Sequence, residues 1–442
     1  MSDYQMYIDG QWCSAQSGET YDAINPALGE SFDKIPKGGR EDARRAIAAA
    51  NEAFETWRKV PLWDRSEMCV KIAQIIDEHI DELADILCTE LGKPRHQEAK
   101  FEAGEASVPW RVAAEQAKYF EAHTKPCQDP QKRVLTFWQP RGVVAAITPW
   151  NSPVMMAVWK IAPALAAGNT VVVKPSEHAS TSTLELMEVF RDAGFPDGVV
   201  NTVTGFGNEV GEPLVSHPNV AKVTFTGSET GGRSVNRAAA DNVRPVTLEL
   251  GGKSPQIVFA DGDIESAVNG VISGVFLSNG QTCVAGSRLF LQSEIAEAFL
   301  DRLKDSLSGL RMGDPFDPET QIGPIATGPQ FEKILSHIEG AKAEGANCVI
   351  GGNAVDGPEC GQGWFVEPTV FTDVASEMTI AREEVFGPVL AVMTFDDEDE
   401  AVRLANDTIY GLAAGIWTRD LARAHRLARR IQSGTVAAEG IM

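Results

Sequence analysis

The sequence predicts an α/β protein with two domains, each built on a largely parallel β-sheet. The chain has 442 residues, 43% of them hydrophobic, which is enough for a large core and too long for one ordinary domain. From Val143 onwards, short apolar strands alternate with helical segments, a pattern typical of a helix-covered parallel sheet.

The N-terminal part is predicted to be mainly helical after a short strand pair at residues 7–12. Apolar residues recur at helical spacing over residues 43–57 and again over residues 68–87. A third helical stretch is predicted from about residue 98 to residue 120.

The strands that follow come in two series. The first series is predicted at residues 143–147, 170–174, 199–203, 221–225 and 246–250. The second begins after Ser254 and runs to Val436, so the Gly251-Gly252 pair is the predicted hinge. A polar, proline-bounded stretch ending in the alternating sequence RVLTFWQ is predicted to form an arm.

Charge and composition exclude several classes of protein. The net charge is -23, which disfavours nucleic acid and anionic membranes as partners. The N-terminus MSDYQMYIDGQW has no basic-then-apolar leader, and no apolar run is long enough to span a bilayer. We therefore expect a soluble, cytoplasmic protein.

Neither the cysteines nor the acidic residues indicate a metal. The seven cysteines are scattered without a CxxC pair, which argues against disulfides and structural zinc. The acidic run at residues 396–400 suggests either a metal site or a helix start, and a helix start is preferred because acids favour helix N-termini.

The common dinucleotide fingerprint is absent. In GFGNEVG the glycines stand at 205, 207 and 211, so the third is one residue late for GxGxxG. A search for that motif alone would miss this protein or assign its cofactor to the wrong residues.

Five other segments carry a more specific signal. They are TPWNSP (148–153), KPSE (174–177), FTGSETGG (225–232) with LELGGKSP (248–255), GQTCVAGSR (280–288) and EEVFGPV (383–389). In order and spacing, over almost the whole chain, they resemble the aldehyde dehydrogenase superfamily. The resemblance implies NAD-dependent, non-acylating oxidation of an aldehyde to a carboxylic acid, with no metal.

The resemblance also implies an architecture. A Rossmann-like NAD-binding domain would comprise residues 1–120 and 141–251, and an α/β catalytic domain residues 252–436. Residues 121–140 would form a small β arm for assembly into a homodimer or homotetramer. Family members continue beyond the strand in SGTVAAEGIM. We therefore expect that this chain lacks the family's C-terminal segment and that its subunits associate poorly.

Three residues would carry the chemistry. A lone cysteine is usually structural, but Cys283 matches the nucleophile that forms a thiohemiacetal and then a thioester. Glu249 is either a solvated acid or, at the carboxyl edge of the sheet, the partly buried base that activates water. Asn151, which follows Trp150 between two prolines, is either a turn former or the amide that stabilises the oxyanion.

The cofactor residues implied by the resemblance lie at strand ends and helix starts. Glu177 would bind the adenine ribose and exclude a 2′-phosphate, favouring NAD over NADP, and a helix starting at Glu229 would bind the pyrophosphate. Glu384 would hold the nicotinamide ribose. The full set is Thr148, Pro149, Trp150, Lys174, Ser176, Glu177, Gly207, Phe225, Gly227, Ser228, Gly231, Leu250, Gly251, Glu384 and Phe386.

The substrate pocket is the least specified part. Met155, Met156 and Trp159 follow Asn151 at helical spacing, which suits a core as well as a tunnel wall. Thr282 and Val284 flank the nucleophile. By resemblance these five residues line an apolar aldehyde tunnel.

Three other functions are compatible with parts of the sequence. A CoA-acylating aldehyde dehydrogenase would tend to lack the glutamate that activates water, so Glu249 argues against it. A catalytically silent or impaired member of the family would not need all three chemical residues, but the missing C-terminal segment keeps that alternative open. A Cys–His hydrolase would need a histidine near Cys283, and His178 instead follows the KPSE motif.

Overall fold

A computed structural model of the chain describes residues 4–355, 357 and 360–438. Within these residues the chain forms two compact units. Unit 1 comprises Met1–Ile24, Ser31–Glu90 and Ala99–Glu249, and unit 2 comprises Asn25–Glu30, Leu91–Glu98 and Leu250–Met442. Residues 439–442, at the end of SGTVAAEGIM, lie outside the described part of the chain.

The helices differ widely in length. They are α1 (Arg40–Trp57), α2 (Leu62–Glu78), α3 (Ile80–Leu91), α4 (Lys100–Glu105), α5 (Val108–Ala117), α6 (Pro153–Ala166), α7 (Thr181–Ala193), α8 (Glu212–Ser216), α9 (Glu229–Ala240), α10 (Ile264–Val275), α11 (Ala296–Ser308), α12 (Gly328–Ala343), α13 (Thr379–Arg382), α14 (Glu398–Asn406) and α15 (Leu421–Arg430). Short π-helical turns lie at Arg95–Ala99 and Gly207–Gly211, and 3-10 turns at Leu277–Gly280 and Ser293–Ile295.

The strands are β1 (Met6–Ile8), β2 (Gln11–Cys13), β3 (Thr20–Asn25), β4 (Glu30–Pro36), β5 (His123–Lys125), β6 (Val134–Thr136), β7 (Val143–Ile147), β8 (Thr170–Lys174), β9 (Val200–Thr202), β10 (Val220–Thr226), β11 (Val246–Glu249), β12 (Pro255–Val258), β13 (Arg288–Gln292), β14 (Asn347–Ile350), β15 (Thr369–Thr372), β16 (Val389–Phe395), β17 (Ala413–Trp417) and β18 (Thr435–Ala438).

Each unit contains one seven-stranded sheet. In unit 1 the order is β11-β10-β7-β8-β9-β1-β2, with β11 to β9 parallel and β1 and β2 antiparallel. In unit 2 the order is β14-β15-β16-β13-β12-β17-β18, parallel except for β14. The predicted α/β fold class is confirmed.

Successive side chains along a strand point to opposite faces of a sheet, and both faces of the unit 2 sheet are buried. Ile257 belongs to a hydrophobic cluster with Ile334 of α12. Its neighbour Val258 belongs to a second cluster, with Val271 of α10 and Phe299 of α11. This explains why the strand sequences are apolar without alternation.

The predicted strands of the first series are confirmed to within one residue at each end. Two of the helix predictions for the N-terminal part are wrong. The helix predicted over residues 68–87 is divided into α2 and α3, and the one predicted over residues 98–120 into α4 and α5. At His79 a ring nitrogen bonds the Ile75 carbonyl, 2.9 Å away, which competes with the helical pattern. Near Ser107 a new helix starts with Pro109 in its first turn, because proline clashes with the preceding turn.

The predicted helix start in the acidic run is confirmed. Asp397 caps α14 by accepting a hydrogen bond from the Glu400 amide at 2.9 Å. Residues 121–140 contain the antiparallel pair β5 and β6, all of whose residues are exposed. Within the described residues, no helix combines the length and apolar character needed to cross a membrane.

Candidate active-site residues

Asn151 lies between the carboxyl end of β7 and the start of α6. The Thr148 amide donates to the Lys174 carbonyl at 3.1 Å, which continues the β7–β8 ladder to the TPWNSP motif. Asn151 is half-buried. The motif is therefore fixed directly by the sheet of unit 1.

A distant carboxylate anchors the helix that follows Asn151. The buried Glu102 accepts from the amides of Val154 and Met155, both at 3.2 Å. These amides belong to the first turn of α6, where no helical acceptor is available, and Ser152 makes no side-chain cap. The sequence interpretation missed Glu102, because nothing local links it to a helix that begins about fifty residues later.

Lys174 and Glu177 form a pair at the carboxyl end of β8. Lys174 Nζ lies 3.3 Å from Glu177 Oε2 and donates to the Pro175 carbonyl at 2.7 Å. Burial lowers the pKa of Lys174 in spite of its partner. For Glu177 burial acts to raise the pKa, but the Lys174 charge and nearby donors hold it below its usual value. The Glu177 side chain is still 31% exposed, so its carboxylate reaches solvent.

The strand β10 ends at a glycine-rich helix start. Helix α9 begins at Glu229, as predicted, and Ser228 caps it by accepting from the Gly231 amide at 3.2 Å. The buried Phe225 ring explains the glycines: a Cβ on Gly227 or Gly231 would lie 2.7 or 2.8 Å from its Cζ atom. Gly207, by contrast, lies in an exposed position at the start of a π-helical turn.

Glu249 is the last residue of the edge strand β11. Its carbonyl accepts from the Gly227 amide at 3.1 Å, and it pairs in register with Thr226. The side chain is exposed, which differs from the partial burial expected, because β11 lies at the edge of the sheet.

A buried lysine accompanies Glu249 and was missed by the sequence interpretation. Lys160 Nζ donates to Thr226 Oγ1 at 2.6 Å. Burial lowers the pKa of Lys160 to about 8, while the Glu249 charge acts in the opposite direction. The WK pair on α6 gave no signal, since lysines on helices are mostly solvated.

In unit 2, Glu384 is held against the glycine pair. Its Oε1 atom accepts from the Gly252 amide at 2.9 Å, and a Cβ on Gly251 would lie 2.2 Å from Oε2. Burial raises the pKa of Glu384, partly offset by the Gly252 bond. A side chain at position 251 would displace the Glu384 carboxylate, and Leu250 beside it is half-buried.

The EEVFG segment is bound by side chains of α12. Gln330 Nε2 donates to the carbonyls of Val385 and Phe386, at 2.8 and 3.0 Å. Lys333 Nζ donates to the Glu384 carbonyl at 2.9 Å. Phe386 has φ +58°, a left-handed conformation that costs a non-glycine residue about 1–2 kcal/mol.

Cys283 lies in an irregular segment between α10 and β13. Like its neighbours Thr282 and Val284 it is half-buried, and the Ala285 amide donates to the Thr282 carbonyl at 3.1 Å. A Cβ on Gly252 would lie 2.5 Å from the Cys283 carbonyl oxygen, so the glycine permits this backbone approach. All seven cysteines are free thiols.

The residues predicted to line a pocket lie on two elements. Met155 and Met156 are half-buried on α6, and Trp159 is 58% exposed. Trp159 is therefore not a core residue. Within the described residues there is no group of three or more histidine, cysteine or acidic side chains arranged to hold a metal.

Residues 12–440 match the aldehyde dehydrogenase family model. The chain therefore belongs to the aldehyde dehydrogenase family, and the predicted resemblance is confirmed.

Individual relatives of known sequence or structure agree with this family assignment. The chain is 45% identical to aminoaldehyde dehydrogenase 1, peroxisomal, from Malus domestica, over 98% of this chain and 87% of that protein. It is similar to the structure of betaine aldehyde dehydrogenase from Staphylococcus aureus in complex with NAD+, with a TM-score of 0.98 and 38% identity, covering 100% of this chain and 88% of the other. A structure of NAD-dependent aldehyde dehydrogenase from Sinorhizobium meliloti gives a TM-score of 0.97 and 40% identity, covering 100% and 88%.

Proposed function

We propose that the protein oxidises an aldehyde to a carboxylic acid with NAD as hydride acceptor, using Cys283, Asn151 and Glu249. The observation that carries the proposal is the family match over residues 12–440, which includes all five motifs. Relatives with similar structures are described as complexes with NAD+.

The dinucleotide would be bound by unit 1. Helix α9 has twelve residues and starts at the carboxyl end of β10, so its first amides offer an anion site for a pyrophosphate. The Lys174–Glu177 pair at the carboxyl end of β8, two strands away in the sheet, offers a carboxylate to ribose hydroxyls. These donors and acceptors fit a dinucleotide without a 2′-phosphate, and Glu384 and Phe386 of unit 2 are proposed for its nicotinamide end.

Cys283 would act first. Its thiolate adds to the carbonyl carbon of the aldehyde, and the oxyanion that forms accepts hydrogen bonds from the Asn151 amide and the Cys283 N–H. When bound, NAD supplies the hydride acceptor. Loss of hydride leaves an acyl group on the Cys283 sulfur as a thioester.

Glu249 would act second. Its carboxylate takes a proton from a water molecule, which attacks the thioester carbon and expels the thiolate as the acid forms. An exposed side chain at the end of the edge strand suits contact with water. This step distinguishes the proposal from transfer of the acyl group to CoA.

The remaining roles are proposals of the same kind. Unit 1 would be the NAD-binding domain and unit 2 the catalytic domain, with the β5–β6 arm serving assembly into a homodimer or homotetramer. Met155, Met156, Trp159, Thr282 and Val284 stay candidates for the pocket. One relative is named peroxisomal, so a cytoplasmic location stays a prediction.

The central test is Cys283→Ser against Cys348→Ser. Cys348 is a half-buried thiol of the same unit, outside all five motifs. Loss of the nucleophile should slow NADH formation by more than about 10³-fold, with NAD binding retained, while the control keeps full activity. The substrates should include aminoaldehydes and betaine aldehyde, named for the relatives, together with short aliphatic and aromatic aldehydes. Appreciable turnover by Cys283→Ser would refute the proposal.

A further inference from the structure

Three consecutive residues just before the nucleophile adopt the left-handed backbone conformation. Ser278, Asn279 and Gly280 have φ of +57°, +51° and +63°. Only glycine adopts this region freely, and asparagine tolerates it better than serine does. Such a run persists only where the surroundings determine it, and outliers of this kind cluster at functional sites.

The Asn279 side chain is one of the anchors of this turn. It is 3% exposed, and its Nδ2 atom donates to the carbonyls of Gly323 at 2.8 Å and Pro324 at 2.9 Å. Its Oδ1 atom is buried without a hydrogen-bond partner among the described residues, so the anchoring comes from the nitrogen alone. The opposite amide orientation would place an oxygen against two carbonyls.

Other contacts hold the turn from neighbouring segments. The Ser278 amide donates to the Glu98 carboxylate, and Gln281 Oε1 accepts from the Ala326 amide at 2.9 Å. A Cβ on Gly280 would lie 2.0 Å from the Gly387 carbonyl oxygen, so only glycine fits there. The turn is therefore bound to three separate parts of unit 2.

No regular hydrogen-bond ladder places Cys283 itself. Residues 281–287 form turns and irregular backbone between the 3-10 turn and β13. The Cys283 carbonyl lies against Gly252, the left-handed turn precedes it, and after it the Gly286 amide donates to the Gly274 carbonyl at 3.0 Å. The direction in which the thiol points should therefore depend in part on how rigidly that turn is held.

We propose that Asn279 is a positioning residue for the reaction: its side-chain amide fixes the left-handed turn that presents the Cys283 thiol. The proposal rests on the nucleophilic role proposed for Cys283. It assigns to a side chain four positions away, with no part in bond making, control over the rate of covalent attack.

Two substitutions of Asn279 distinguish the effect of losing its side-chain amide from the effect of backbone strain. Asn279→Gly keeps the left-handed conformation without strain but removes the two donated bonds. Asn279→Ala removes the same bonds and adds strain. If the amide does the positioning, both variants lose reactivity alike, whereas the melting temperature falls further in Asn279→Ala.

The readout is the rate at which iodoacetamide alkylates Cys283, followed by peptide mass spectrometry over a pH series, together with kcat and KM. Both variants should show alkylation and kcat lowered by about 10- to 100-fold, the scale of a small misplacement of a reacting group. The KM for NAD should change by less than about twofold, because the cofactor residues are untouched. A purely structural role would lower the melting temperature and leave the alkylation profile unchanged.

Asn201→Ala is the matched control. Asn201 is fully buried in β9 of unit 1, where it donates to the Gly198 carbonyl at 2.7 Å and accepts from the Asp9 amide at 2.9 Å. Its loss removes comparable buried bonds and should reduce stability without slowing the alkylation of Cys283.

Wild-type alkylation and kcat in Asn279→Gly would overturn the proposal. A measurement on the unaltered enzyme decides the matter if the variants fail to fold: the amides of residues 278–281 should resist hydrogen exchange as strongly as those of β13. Rapid exchange there would also overturn it. An active Cys283→Ser enzyme would instead refute the nucleophile, so the two failures are distinguishable.

Discussion

The two units present their candidate residues at opposite ends of their strands. In unit 1, Asn151, Glu177 and Glu249 lie at or just beyond the carboxyl ends of β7, β8 and β11. In unit 2, Cys283 and Glu384 precede the strands β13 and β16. If these residues act as proposed, the rule that ligands bind at the carboxyl ends of parallel strands describes only unit 1.

The difference has a physical consequence for how each residue is fixed. A residue at the end of a strand inherits its position from the ladder, as Thr148 does through its bond to Lys174. The segments before the strands of unit 2 are held by side-chain bonds between parts of the chain remote in sequence, from Asn279 to Gly323 for the Cys283 loop and from Gln330 to Val385 for the Glu384 segment. Substitutions of remote side chains should therefore cost more activity in unit 2 than in unit 1.

The largest loss of activity is expected for substitution of Glu249, because this residue of unit 1 is proposed to take part in the chemistry itself. Glu249→Gln should slow hydrolysis of the thioester by about 10²–10⁴-fold, the usual range for a general base. Because hydride transfer precedes that step, stopped-flow NADH absorbance should show a burst followed by a slow steady state. Glu265→Gln, at an exposed acid on α10, is the control. Equal loss of both phases would place Glu249 earlier in the reaction.

A smaller effect is expected at Glu177, which would select the cofactor. Glu177→Ser should narrow the preference of kcat/KM for NAD over NADP by about tenfold, which corresponds to about 1.4 kcal/mol of repulsion removed. A partly exposed carboxylate is screened, so a larger effect is not expected. Glu177→Gln keeps the shape and should behave similarly. Equal kcat/KM for the two cofactors in the unaltered enzyme would contradict this assignment.

The smallest effect is expected at Glu102, which tests the comparison directly. Glu102→Ala removes the cap of α6 and should destabilise the protein by about 1 kcal/mol. Because β7 already fixes the TPWNSP motif, kcat should fall by no more than about threefold, well below the loss in Asn279→Gly. Glu105→Ala is the control, because Glu105 is an exposed acid on α4, the helix that also carries Glu102. A kcat loss equal to that of Asn279→Gly would show that both units depend on remote anchors.

Sequence was sufficient where the governing interactions are local. The strands β7 and β8 have the predicted bounds, and α9 begins at the predicted Glu229, since apolar runs and a serine cap are local signals. The roles of Asn151, Glu249 and Cys283 came from the family motifs and stay predictions.

Sequence failed where distant groups decide the structure. The burial of Lys160 against Thr226 and the Glu102 cap depend on packing between segments far apart in the chain. The left-handed turn before Cys283 gave only one local hint, the Asn279-Gly280 pair, which is common in turns of every kind.

The grouping of Asn25–Glu30 and Leu91–Glu98 with unit 2 has a consequence for biosynthesis. A ribosome makes every segment of unit 1 before it reaches residue 250, so that unit has its full sequence early. The two short pieces of unit 2 are made in the same interval, but the partners they pack with are translated much later. Glu98, for example, must wait for Ser278 to be made. Domains commonly fold as units during synthesis, N-terminal first. The early pieces of unit 2 are therefore expected to stay without their partners until translation has passed residue 278.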